Sequence, residues 1–213
     1  MKVEIFSDIA CPFCYIGMVN FQNALAAYDD RDSVEVTWRS FQLNPEMPAE
    51  TEGDIYDYLA GKFGVSRDEA RAMNDRVLAS AHGANLEVDF DKVKPANTFD
   101  AHRMLHLAAD KGNDDEMARL LFDAYFNAGK DLSDPKVLVG LAVEAGIDRA
   151  TAGEVAAGGR FSDAVNEDRD LASGFGISAV PTFVIDRELG VQGAQPPDVL
   201  LGALTQAGSK PAG

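Results

Sequence analysis

At 213 residues with 46% hydrophobic side chains, the chain can bury a substantial core, as one large domain or two small ones. Its 19 Lys and Arg against 35 Asp and Glu leave a net charge of −16, which repels phosphate backbones and anionic lipid and argues against nucleic-acid and membrane partners. Cysteines at 11 and 14 alone are too few for a disulfide framework.

In chain order, residues 2–7 (KVEIFS) read as a strand, with Val3 and Ile5 on one face and Phe6 on the other. Glu4 and Asp8 interrupt any signal-peptide core, and no run reaches about 18 uncharged apolar residues, so the expectation is a cytoplasmic protein that does not span a bilayer. Met18, Phe21, Leu25 and Tyr28 recur at helical spacing. Val34, Val36 and Trp38 alternate with Glu35, Thr37 and Arg39, predicting a strand with one buried face. These three elements make a βαβ unit.

From 54 to 175 the pattern is helical, with one strand candidate at 86–90. Ser66 with Glu69 fits a capping box, Asp134-Pro135 puts a cap before a first-turn proline, and Ile147-Asp148 opens another helix. Ala101, Met104, Leu105 and Ala108 share a helical face, as do Phe161, Ala164, Val165, Ala172 and Phe175. Strand character returns over 180–186. Residues 188–190 read as a turn, 191–194 as the partner strand of a hairpin, and 198–206 as a last helix. The predicted class is α/β: βαβ, an all-helical insertion, then ββα. The predicted boundaries are 1–50 and 160–208 for a discontinuous sheet domain, 51–159 for the insertion and 209–213 for a frayed tail.

The chemistry concentrates at Cys11-Pro12-Phe13-Cys14, between the first strand and the first helix. A thiol at a helix N-terminus feels about half a positive charge and can meet first-turn N–H groups, both of which favour its thiolate. Pro12 has no N–H to lose in that turn. On this reading Cys11 is the nucleophile and Cys14, one turn further, the resolving thiol. Two other readings exist. A zinc half-site needs two more ligands, and His102 and His106, spaced i, i+4, could supply them, although no zincin pattern accompanies them. Two inert buried thiols are the plain alternative. Pro181 in Ser178-Ala-Val180-Pro181-Thr182 stands at the entry of a buried strand, where a strand-start or a cis proline is tolerated.

Taken together, these features resemble the DsbA-like branch of the thioredoxin superfamily. The stretch DIACPFCYIG at 8–17, PANTFDAHR at 95–103 and Gly193-Ala-Gln195 resemble its FrnE-like proteins, whose usual pattern is Cys-Pro-Trp-Cys-Tyr-Ile-Gly. The resemblance implies a thioredoxin fold with a large helical insertion, and a redox pair formed by Cys11 and Cys14. It also implies a cis Val180-Pro181 bond facing Cys11. Pro12, Phe13, Val180, Pro181 and Asn97 become candidate substrate contacts, with Val180 pairing along an extended substrate. The implied substrates are disulfides of proteins or small-molecule thiols. No metal or tightly bound cofactor is implied. The related 2-hydroxychromene-2-carboxylate isomerases and kappa-class glutathione transferases bring in glutathione as a co-substrate, an alternative isomerase or transferase activity, and a homodimer.

The sequence departs from that pattern in two places. Phe13 replaces tryptophan, or the histidine of DsbA, and cannot donate a hydrogen bond to the Cys11 thiolate. A moderate potential of about −200 to −230 mV is therefore expected. Ile5 stands where thioredoxin and DsbA keep a buried acid, leaving Asp8, Glu4 or water to accept the Cys14 proton.

Overall fold

The structure is a computed structural model, and it describes residues 1–48 and 53–209. Its sheet has four strands in the order β2-β1-β3-β4. β1 (Lys2–Ser7) pairs in parallel with β2 (Glu35–Ser40), Lys2 opposite Glu35 and Ser7 opposite Ser40. β3 (Thr182–Ile185) runs antiparallel to β1, and β4 (Leu189–Gln192) antiparallel to β3. Parallel neighbours need a crossover, which α1 (Pro12–Ala27) supplies. α9 (Pro197–Gly208) lies beside α1, on the face that buries Val3 and Ile5. α8 (Ser162–Gly174) covers the other face, where Phe6 and Val184 meet Ala172. The arrangement is the expected α/β thioredoxin fold.

Between β2 and α8 run six helices: α2 (Ile55–Phe63), α3 (Arg67–Gly83), α4 (Phe99–Ala109), α5 (Asp114–Phe126), α6 (Pro135–Glu144) and α7 (Arg149–Ala157). Their starts follow the predicted caps. Ser66 and Glu69 form a reciprocal capping box, Asp134 accepts from Lys136 N before Pro135, and Asp148 accepts from Thr151 N. Aromatic stacking joins this block to the active-site helix: the Tyr15 ring lies parallel to Phe122 at 5.1 Å and near Phe126 at 5.9 Å. From β2, Trp38 Nε1 donates to Asp115 on α5 at 2.7 Å. One continuous apolar core therefore runs from Val3 in the sheet to Val155 in α7.

Two expectations need correction. Residues 86–90 form no strand: Leu86, Val88 and Phe90 are buried, but they pin an extended connector to the end of α5, with Asp89 N donating to Phe126 O, before a short 3-10 turn (Phe90–Lys92). Alternating apolar residues report burial, and here the burying surface is helical. The hairpin turn also comes earlier than 188–190. Asp186 and Arg187 both adopt positive φ, the sign pattern of a type I′ turn, and β4 starts at Leu189. β2 buries Trp38 on one face as expected, while Glu35 on the other is exposed and α8 meets that strand only at its end, through Arg39 and Ser40. The predicted boundary at 50/51 and the tail at 210–213 lie outside the described residues.

Candidate active site

Cys11 is the residue at which β1 turns into α1. Its backbone is extended (φ −96°, ψ 112°), Pro12 fills the first helical position, and the Cys14 and Tyr15 N–H groups close the first turn onto Cys11 O at 3.0 and 3.3 Å. Both cysteines are free thiols, 5% and 1% exposed. The first-turn N–H groups do not bond to the Cys11 sulfur. The Cys11 thiol instead donates to the carbonyl of Val180 across the site, at 3.7 Å. Val180-Pro181 is cis. A methyl group at Gly17 would fall 2.7 Å from Pro181 Cγ, so only glycine lets α1 pass this close to the proline.

Cys14 lies beneath, one turn into the helix. Burial pushes its pKa well above that of a free thiol, and the Cys11 sulfur adds to the rise both as a hydrogen-bond partner and as a charge. The Asp8 N–H, 3.5 Å from the sulfur, opposes it. The Ser7 hydroxyl also favours the thiolate, although it is too poorly aligned to count as a hydrogen bond.

Asp8 is the buried acid of this corner. Burial alone would raise its pKa, and this is the largest single influence. His102, the Leu43 N–H at 2.7 Å and the Thr98 hydroxyl at 2.8 Å together outweigh it and hold the carboxyl below its usual value. His102 Nε2 stands 3.5 Å from Oδ1, an electrostatic contact rather than an aligned hydrogen bond. Glu4, the other candidate acid, is turned away on the α8 face. There it accepts from Arg39 (2.6 and 2.9 Å) and Arg187 (2.9 and 3.1 Å). Ile5, in the place of the usual acid, is core.

Two cavities lie on either side of Phe13, and Cys11 lines the first of them. On one side, a space of about 450 Å³ opens between α1 and the first two helices of the block. α2 lines it with Ile55, Tyr58, Leu59, Lys62 and Phe63, the i, i+3, i+4, i+7, i+8 face of a helix, and α3 answers with Met73, Asn74, Arg76, Val77 and Ser80. Phe13, Leu43 and Phe63 on its walls are 43%, 41% and 52% exposed, an amount of open apolar surface that marks binding sites. On the other side, a space of about 480 Å³ runs along Val180, Gly193 and Ala194.

Residues 2–205 match the family model of the DSBA-like thioredoxin domain. The chain belongs to that family. A crystal structure of a probable DsbA oxidoreductase from Streptomyces coelicolor is 39% identical and superposes with a TM-score of 0.93, over 100% of this chain and 92% of that one. The uncharacterized protein YwbO of Bacillus subtilis (strain 168) is 27% identical over 212 residues, 99% of this chain and 98% of its own. The cytosolic disulfide reductase DsbM from Pseudomonas aeruginosa, solved with GSH, is 16% identical with a TM-score of 0.68, over 97% and 98% of the two chains; at that identity the likeness is one of fold.

In this DSBA-like domain the predicted site residues do not all converge. Cys11, Pro12 and Phe13 line the cavity between α1 and the α2–α3 wall, and Phe13 and Val180 the one along Gly193 and Ala194. Asn97 lines neither. Its amide donates to Met47 O (2.7 Å) and Pro45 O (3.4 Å) and accepts from Phe99 N (2.9 Å) and Gln42 Nε2 (3.1 Å), so it fixes the loop carrying Leu43 and Met47 against the start of α4. His102 and His106 serve different carboxylates: His102 faces Asp8, and His106 reaches Asp168 at 3.1 Å. Sequence reasoning gave no role to Gly17, Thr98 or the α2–α3 wall. Of these, Gly17 carried a local signal, a glycine inside a helix one turn past Cys14.

Proposed function

We propose that the protein is a thiol–disulfide oxidoreductase that reduces or isomerises disulfides through a mixed disulfide on Cys11. The observation that supports this best is the Cys11 thiol at the start of α1, opposite the Val180 carbonyl, with Cys14 held as a buried thiol one turn behind. Cys11, as thiolate, attacks one sulfur of the substrate. The substrate S–S bond breaks, and the departing thiolate takes a proton from water. Cys14 then gives up its proton and attacks Cys11 Sγ, releasing the second substrate thiol and closing a Cys11–Cys14 disulfide. Two electrons have passed to the substrate, and an external dithiol or two small thiols restore the pair. We assign the activity to the cytoplasm, where thiol buffers keep such pairs reduced and favour reduction and isomerisation over oxidation.

Insulin reduction driven by dithiothreitol tests the reading. Cys11→Ser should fall to the uncatalysed rate with the fold intact, and Cys14→Ala should accumulate substrates as mixed disulfides. Full activity in Cys11→Ser would eliminate the mechanism.

A second reading has glutathione as a co-substrate, with Cys11 only positioning its thiol for an isomerase or transferase reaction. The groove beside Val180 favours it, since an extended tripeptide can pair with a strand-like backbone there. Calorimetric titration of Cys11→Ser with glutathione separates the two readings. Tight binding supports the second, and no heat at millimolar ligand counts against it.

A further inference from the structure

The cavity between α1 and the α2–α3 wall is apolar in its body and cationic at its rim. Lys62 and Arg76 are the basic side chains lining it, and both are exposed. Among the described residues neither takes part in an ion pair. Lys62 Nζ stands 5.7 and 5.8 Å over the rings of Tyr58 and Phe63, which leaves its charge open to an anion. The acid on the wall, Asp8, is buried and already holds several donors. In a chain of net charge −16, this mouth has the opposite sign.

A second observation comes from inside. Asn74 is buried on the α3 wall, and its Nδ2 has no hydrogen-bond partner among the described residues. A buried amide donor without an acceptor costs free energy that a ligand oxygen would recover. The volume, about 450 Å³, suits a small organic molecule.

We propose that this cavity binds the apolar, carboxylate-bearing half of a small-molecule disulfide. The carboxylate meets Lys62 and Arg76 at the rim, an oxygen further in accepts from Asn74, and the disulfide is presented to Cys11. This rests on the dithiol reading of Cys11 and narrows it to a substrate class. The chemistry is the exchange already described, with both electrons coming from the protein dithiol.

Single-turnover reaction of the reduced protein with two aromatic disulfides tests it, read by the absorbance of the product each releases, 2-nitro-5-thiobenzoate and 4-thiopyridone. The first, 5,5′-dithiobis(2-nitrobenzoate), carries a carboxylate on each ring; the second, 4,4′-dithiodipyridine, carries none. The ratio of their second-order rate constants should fall about tenfold in Lys62→Glu/Arg76→Glu. A control of equal net charge, Lys136→Glu/Arg149→Glu, lies outside the cavity and should keep the ratio; an equal fall there would overturn the proposal. The cavity is tested apart from the chemistry by titrating Cys11→Ser with sulfur-free probes. Binding of 4-phenylbutyrate tighter than of 4-phenyl-1-butanol, lost on reversing Lys62 and Arg76, supports the site even if the dithiol mechanism fails. Equal affinity for the two probes, or no binding of either at millimolar concentration, overturns it.

Discussion

On the α8 face of the sheet, Glu4 and Asp168 are met by guanidinium groups. Arg39 bridges the two carboxylates at 2.6 and 3.0 Å, Arg187 adds to Glu4, and Asp168 also accepts from Ser40 N at 2.8 Å. On the α1 face, Asp8 has no arginine or lysine contact among the described residues and relies on an N–H, a hydroxyl and an imidazole. The first arrangement locks its acids into structure. The second leaves a single buried carboxyl on the residue whose backbone N–H meets the Cys14 sulfur, on the face where the proposed mechanism has to move a proton.

The largest test of that contrast is Arg39→Ala. It removes one charged partner from each of two buried carboxylates and should cost about 3 kcal/mol in chemical denaturation at pH 7, while changing the rate of disulfide exchange little in the protein that remains folded. Its pH dependence has a definite sign. Glu4 is held below its usual 4.5 and Asp8 below 3.8, so their stabilisation is complete above those values and is lost as pH falls through and beneath them. The loss in Arg39→Ala should therefore shrink below about pH 4, where an unpaired carboxyl can take a proton. An equal loss at pH 3.5 and pH 7 would assign the effect to packing instead of charge.

Next in size is Gly17→Ala, on the α1 face. Alanine gains up to about 1 kcal/mol in helix propensity, but the 2.7 Å overlap with a rigid proline ring outweighs it. A net loss of about 1–2 kcal/mol is expected, with a fall in kcat/KM because Val180 and Cys11 move apart. A more stable variant with full activity would show that the close approach has no role. Smallest is Phe13→His, which adds a hydrogen-bond donor in the first turn of α1. It should raise the reduction potential by about 30 mV from a parent value of about −200 to −230 mV. A parent value near −120 mV, or no change in the variant, would remove Phe13 as a determinant.

Much of this was legible in the sequence where structure is local. The strands, the helix caps at Ser66, Asp134 and Asp148, and the cysteine corner followed from spacing and residue type. The hairpin turn was missed because its positive-φ positions carry Asp186 and Arg187 where glycine or asparagine is the usual signal. Leu86, Val88 and Phe90 alternate as a strand would, yet the surface they cover is helical. Asp8 stood beside Glu4 and water as a candidate proton acceptor, but what holds it in place was not legible, because its partner Thr98 lies 90 residues away. Which residues line the cavity was not legible for the same reason: the faces of α2 and α3 are each ordinary amphipathic stripes, and only their failure to close over Phe13 makes a space.

In the proposed mechanism the pairing of Cys14 with Cys11 also sets the timing of the reaction. Burial keeps the second thiol protonated, and the negative charge of the first reinforces it. Once Cys11 enters a mixed disulfide that charge is gone, so Cys14 becomes easier to ionise at the moment it is needed. The couple works as an interlock, in which the inner sulfur stays unreactive toward passing oxidants until the outer one has been engaged.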